Sequence, residues 1–129
     1  MIHQVEGTYY AEAAAEGFDP AGPNNSQGYI AHVATRTIIF IEAEEPAIGL
    51  ISLIPIGMAE VSSCIVTVKE GQKVKKGDQI GYFQFGGSTH CLVFRPGVIA
   101  EFALQAIPQG ENGANSTLVK VNSLLAIAT

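Results

Sequence analysis

The stretch from Phe83 to Phe94, FQFGGSTHCLVF, places a serine, a threonine, a histidine and a cysteine directly behind two glycines. Gly86 and Gly87 suit a tight turn between two apolar, strand-like runs, because glycine tolerates backbone conformations that other residues avoid. The turn gives no reason for Ser88, Thr89, His90 and Cys91, each of which can donate or accept a hydrogen bond. A serine that follows a glycine in a constrained turn has one reaction open to it without any partner molecule. Its hydroxyl can attack the Gly87 carbonyl and convert the amide to an ester, and glycine leaves that approach clear and tolerates the strain. β-Elimination from the ester cuts the chain, and the serine remnant hydrolyses to a pyruvoyl group. That ketone can form a Schiff base with an amine and act as an electron sink, the role otherwise given to pyridoxal phosphate.

Other groups that could join such chemistry are few. Strand alternation puts His90 on the same face as Ser88, so it is a candidate site residue; the plainer reading is a hairpin side chain. His32, in YIAHVATR, lies in a strand-like stretch and reads as a surface or core residue. Glu60 sits inside an apolar stretch, and a buried carboxylate there needs a partner, with Arg36 and Arg95 the two arginines available. Cys64 and Cys91 read as small core residues and have the spacing of neither a disulfide framework nor a zinc site. No metal is expected.

The elements that must position these residues read as β-structure. At 129 residues, with 47% apolar and 15% charged, the chain is expected to be one globular domain with its own core. A net charge of −5 with seven Lys and Arg argues against a nucleic-acid footprint. MIHQVEGTYY has neither a basic nor an apolar leader region, and AIGLISLIPIGMA, 13 residues broken by Pro55 and two glycines, is too short to span a bilayer. A cytoplasmic location is the expectation. Strands are predicted over TRTIIFIEA (35–43), GLISLIPIG (49–57), VSSCIVTVKEG (61–71), QIGYFQF (79–85) and HCLVF (90–94), with Pro55 marking an edge or a bulge. Helix is predicted only over YAEAAAEG (10–17), and loops over 17–28 and 108–117.

Residues 68–83, VKEGQKVKKGDQIGYF, deserve separate treatment. Glycines that end short strands, alternating with Val and Ile that return to the core, resemble the hammerhead corner of biotinyl and lipoyl carrier domains and of sugar-phosphotransferase barrels. A carrier also needs a lysine between two hydrophobic residues at a hairpin tip. Lys69, Lys73, Lys75, Lys76 and Lys120 all lack that setting. The fold class expected is mainly β, a compact antiparallel sheet or barrel-sandwich with a hammerhead-like corner and little helix.

GGST at 86–89, followed by CLVF and RPG at 91–97, resembles the self-cleavage motif of the phosphatidylserine decarboxylase family. VEGTYYA (5–11) is similar to the family's V-P-G-x-x-Y/F segment. IPIGMAEVSSC (54–64) is similar to its V-G-x-x-x-V-G-S-I strand, and GQKVKKGDQIGYFQFGGST to its approach to the cleavage site. GGST with His90 behind it most resembles the soluble branch that includes fungal tryptophan decarboxylases.

The resemblance implies that Gly87 carries the scissile carbonyl and that Ser88 is the pyruvoyl precursor, with residues 1–87 β-chain-like and 88–129 α-chain-like. It implies a lyase that removes CO₂ from an amine-bearing substrate, either phosphatidylserine (giving phosphatidylethanolamine) or a free aromatic amino acid. It also implies a histidine base from an H-x-x-H-x-P-x-x-G pattern just upstream of V-P-G, with an aspartate orienting a histidine as in a serine-protease triad. Here Met1-Ile2-His3-Gln4 precedes VEG, and His3 falls too late to take that role. The expectation is therefore a truncated decarboxylase core, an unprocessed zymogen with weak or no activity. Its face around residues 1–10 is expected to be apolar and covered by homodimerisation. The alternatives are an uncleaved, non-catalytic relative used for binding or assembly, or a carrier-like barrel.

Overall fold

The computed structural model describes residues 1–7, 27–58, 63–84, 88–113 and 115–129. The helix predicted over 10–17 and the candidates Glu60 and Gly87 lie outside these. The described chain is mainly β, with antiparallel sheets and no closed barrel. It divides into two compact units, residues 1–41 with 52–93 and residues 42–51 with 94–129.

The first unit is built on a four-stranded sheet. Its order is β1 (Ile2–Val5), β2 (Arg36–Glu42), β3 (Leu50–Ile56) and β6 (Thr89–Phe94). β1 runs antiparallel to β2, with Ile2 opposite Ile39 and Val5 opposite Arg36. Alternation along β2 buries Thr37 and Ile39, as the period of two requires for a strand with one covered face. A short helix, α1 (Gln27–Val33), supplies the rest of the core. Ile30 and Ala34 cluster with Ile56, and Ile54, Met58 and Cys91 pack around them.

This helix replaces the strand-like reading of YIAHVATR. Ile and Val favour strands locally, but Ile30 and Ala34 are four residues apart and can share one helical face against Ile56. Packing of that pair outweighs a weak local preference, as it does for most short helices. Of the two settings expected for Pro55, an edge or a bulge, the edge does not hold, since β3 lies between β2 and β6 and is an inner strand. Pro55 is its penultimate residue, so the missing N–H falls where the ladder is ending.

A second sheet in the same unit pairs β4 (Ser63–Val66) with β5 (Gly81–Gln84), antiparallel, Ser63 opposite Gln84 and Val66 opposite Gly81. The strand predicted over 61–71 therefore stops early, at Val66, and residues 67–80 carry turns at 70–71 and 76–77 with no strand of their own. The reason lies in two side chains. Gln72 Oε1 accepts from the Lys69 N–H (3.0 Å) and Asp78 Oδ2 from the Lys75 N–H (2.8 Å), while the Asp78 N–H donates back to the Lys75 carbonyl (3.0 Å). Gly71 and Gly77 supply the positive φ these turns need (+76° and +90°). Glu70 then reaches the edge of the first sheet, accepting from the Ile2 N–H at 2.9 Å.

The second unit holds the antiparallel pair β7 (Ile99–Phe102) and β8 (Ala126–Ala128), with a register shift between Ile99 and Glu101. Val98 is its buried residue. The predicted loop over 108–117 contains a 3₁₀ turn at Glu111–Gly113 and is otherwise irregular among the described residues.

Candidate functional site

Ser88 is half-buried and stands immediately before β6. The strands that precede and follow residues 85–88 are both paired. On one side β5 ends at Gln84, held opposite Ser63, whose Oγ donates to the Gln84 carbonyl at 2.8 Å. On the other, β6 lies beside β3 in the four-stranded sheet. Three residues lie between Gln84 and Ser88, so their Cα atoms lie within about 14 Å.

Along β6, Thr89 and Cys91 are half-buried while His90 and Leu92 are exposed. Cys91 packs against the Ile30–Ala34–Ile56 cluster. His90 is therefore on the outward side of its strand, with Ser88 half-buried two residues before it. The other two histidines stand on other elements. His3 is on β1 with its ring edge-on to Phe40, centroids 6.4 Å apart. His32 is in the last turn of α1, its Nδ1 hydrogen-bonded with the Gly28 carbonyl at 2.7 Å.

A cleft of about 230 Å³ is lined by Gln4, Glu6, Arg36, Thr37, Ser63 and Cys64 among others. Sequence reasoning missed it, because its walls come from β1, β2 and β4, which meet only in the folded sheet arrangement. Ser63 connects it to the site, being both a cleft residue and the partner of Gln84. Arg36 Nη1 donates to the Ala34 carbonyl at 3.0 Å, which fixes the guanidinium at the cleft wall.

Cys64 is not poised as a nucleophile. It is buried, its thiol donates to the Pro55 carbonyl at 3.6 Å, and burial pushes its pKa up, a rise partly offset by a hydrogen bond with the Gly57 backbone. A thiol that ionises late is a poor attacking group. Among the described residues no three His, Cys, Asp or Glu side chains cluster as metal ligands, and no helix is long and apolar enough to cross a membrane.

Comparison with known proteins gives the site a context. Residues 1–119 match the family model described as phosphatidylserine decarboxylase. The chain is 44% identical to a decarboxylase of Amanita muscaria over 95% of its length. It is 39% identical to the L-tryptophan decarboxylase of Psilocybe cubensis over 97%, and 40% identical to phosphatidylserine decarboxylase proenzyme 2 of Komagataella phaffii over 67%. It spans 36%, 29% and 8% of these relatives' own lengths.

Proposed function

Because the chain belongs to the phosphatidylserine decarboxylase family, we propose that it carries the self-processing segment of a pyruvoyl-dependent decarboxylase, with Ser88 as the precursor of the ketone. The observation that carries this reading is the placement of Ser88, half-buried at the head of β6, with paired strand on both sides of it in sequence: β5, which ends at Gln84, and β6 itself. The residue types fit the group: the ketone is made from a serine, and Gly87 on its N-terminal side offers an unobstructed carbonyl.

The processing chemistry balances without an external reagent other than water. Ser88 Oγ adds to the Gly87 carbonyl carbon, the C–N bond breaks, and the amide becomes an ester with a free amine on residue 88. Loss of the Cα proton of residue 88 and cleavage of its Cβ–O bond release Gly87 as a carboxylate. The remaining dehydroalanine takes up water and expels ammonia. Once formed, a pyruvoyl ketone supplies a sink for the electron pair that loss of CO₂ leaves behind. His90 is the nearest titratable side chain along the chain after Ser88, and in this reading it is the proton-transfer partner. Removing a general base costs on the order of 10² to 10⁴ in rate, so His90→Ala should slow the cut by such a factor. An unchanged rate would return His90 to the role of an exposed strand residue.

For substrate, we favour a free amino acid over a lipid. The tryptophan decarboxylase match runs along 97% of the chain and the lipid-enzyme match along 67%. The cleft beside Ser63 is where the amino acid is proposed to lie. CO₂ release from L-tryptophan, other free amino acids and phosphatidylserine vesicles, with Ser88→Ala as the blank, tests both the activity and the choice. Release from the vesicles alone would reverse the substrate assignment, and release undiminished in Ser88→Ala would remove Ser88 from the chemistry. The functional unit is proposed to be a homodimer. Sedimentation at rising concentration should show self-association, and a persistent monomer would exclude it.

A further inference from the structure

Residues 42–51 and 94–129 form one compact unit, although they lie on opposite sides of Ser88 in sequence. A cut between residues 87 and 88 leaves that unit assembled from two separate chains. One side chain bridges them directly. Arg95, the residue after β6, turns back to the segment before β3, and its Nη2 donates to the Pro46 carbonyl (3.1 Å) and the Ile48 carbonyl (3.3 Å).

The seat for that guanidinium is built from the backbone. The Ile48 and Gly49 N–H groups both donate to the Glu45 carbonyl at 3.0 Å, and the Ala43 N–H donates to the Gly49 carbonyl at 2.9 Å. Gly49 has φ +62°, and a Cβ there would come within 2.5 Å of Arg95 Nη2. Glycine is required for the conformation, whereas the guanidinium, at the far end of a flexible side chain, could move aside from a Cβ. Arg95 is held from its own side as well. The Val98 N–H donates to the Arg95 carbonyl at 3.3 Å, and Thr129 donates its Oγ1 hydrogen to the Gly97 carbonyl (2.8 Å) and its N–H to the Val98 carbonyl (3.0 Å).

We propose that Arg95 is a positioning residue: by gripping the 45–49 turn it keeps β6, and with it residue 88, in register once the chain is cut. This rests on the processing reading above. In an intact chain the covalent link already holds the partners at high effective concentration, and an exposed bond of this kind adds little. After the cut that link is gone, and charge-assisted bonds to two carbonyls matter for retention.

The test does not depend on self-processing. In a Ser88→Ala background, a site-specific protease sequence in place of residues 85–87 allows the chain to be cut at will, and fragment separation is followed on dilution by size-exclusion chromatography. With Arg95→Ala the cut fragments should separate about tenfold faster, the scale of losing one such hydrogen-bonded anchor. The uncut variant should keep its circular dichroism spectrum and melting temperature. Arg95→Lys, which keeps the charge and loses the planar fork, should restore part of the retention. Equal separation rates with and without Arg95 would overturn the proposal, as would an Arg95→Ala loss of stability that is the same in uncut and cut protein. If the Arg95 effect holds while Ser88 proves inert, the processing reading fails and the clamp remains.

Discussion

Single residues divide sharply into those whose chemistry is exposed by position and those in which position suppresses it. Ser88 and Cys64 are the two cases. Ser88 stands at the head of a paired strand, and Ser88→Ala should leave the chain whole wherever the native residue allows a cut. Cys64 is held neutral by burial, so its folded pKa lies above its unfolded one. In the unfolded chain the thiol ionises first as pH rises, the unfolded state then binds fewer protons, and stability falls. Denaturation midpoints should therefore decline above about pH 8.5, where a free thiol titrates. Cys64→Ala should flatten that part of the profile. A profile unchanged by the substitution would mean that other groups set the alkaline limit.

At the scale of elements, what the sequence made legible were the pieces whose information is local. β2, β3, β5 and β6 fall where apolar, β-branched runs predicted them. The Lys-Lys-Gly-Asp corner is a turn because Asp78 can fold back on the Lys75 N–H. The pieces that were not legible depend on distant partners. α1 exists because Ile30 and Ala34 meet Ile56, and nothing in seven residues of sequence announces a partner so far along the chain. Ile30→Ala should remove about 2–5 kcal/mol, measured by chemical denaturation, since Ile30 is fully buried. Gly7 makes a second test. A Cβ on it would run into the backbone of Val33, Ala34 and Thr35, which cannot swing aside as a side chain could. Gly7→Ala should cost about 1–3 kcal/mol, as overpacking does, and an unchanged midpoint would show that β1 and the end of α1 can part freely.

At the scale of the molecule, the face around residues 1–10 was expected to be apolar; residues 8–10 lie outside the described ones, and within 1–7 the large exposed hydrophobic is Met1. Among the described residues, the exposed ones concentrate toward the C-terminal end, with Leu104 at 82%, Leu118 at 93% and Val121 at 91%. The sequence concealed this because apolar content along 118–127 reads the same whether it faces a core or solvent. The candidate site was legible as a motif, GGST at residues 86–89, and the cleft lined by Ser63 was not, since three strands must assemble before Gln4, Arg36 and Ser63 share a wall.

The central claim is that the bond between residues 87 and 88 is the one this protein is built to break. Intact-mass spectrometry tests it most directly, on the chain joined behind a segment carrying the H-x-x-H-x-P-x-x-G pattern, with its Ser88→Ala counterpart alongside. The account predicts two fragments from the first, one ending at Gly87 and one beginning with a pyruvoyl-blocked residue 88, and a single unbroken chain from the second. A joined chain that stays whole while releasing CO₂ from substrate, or one that splits at any other bond, would contradict it.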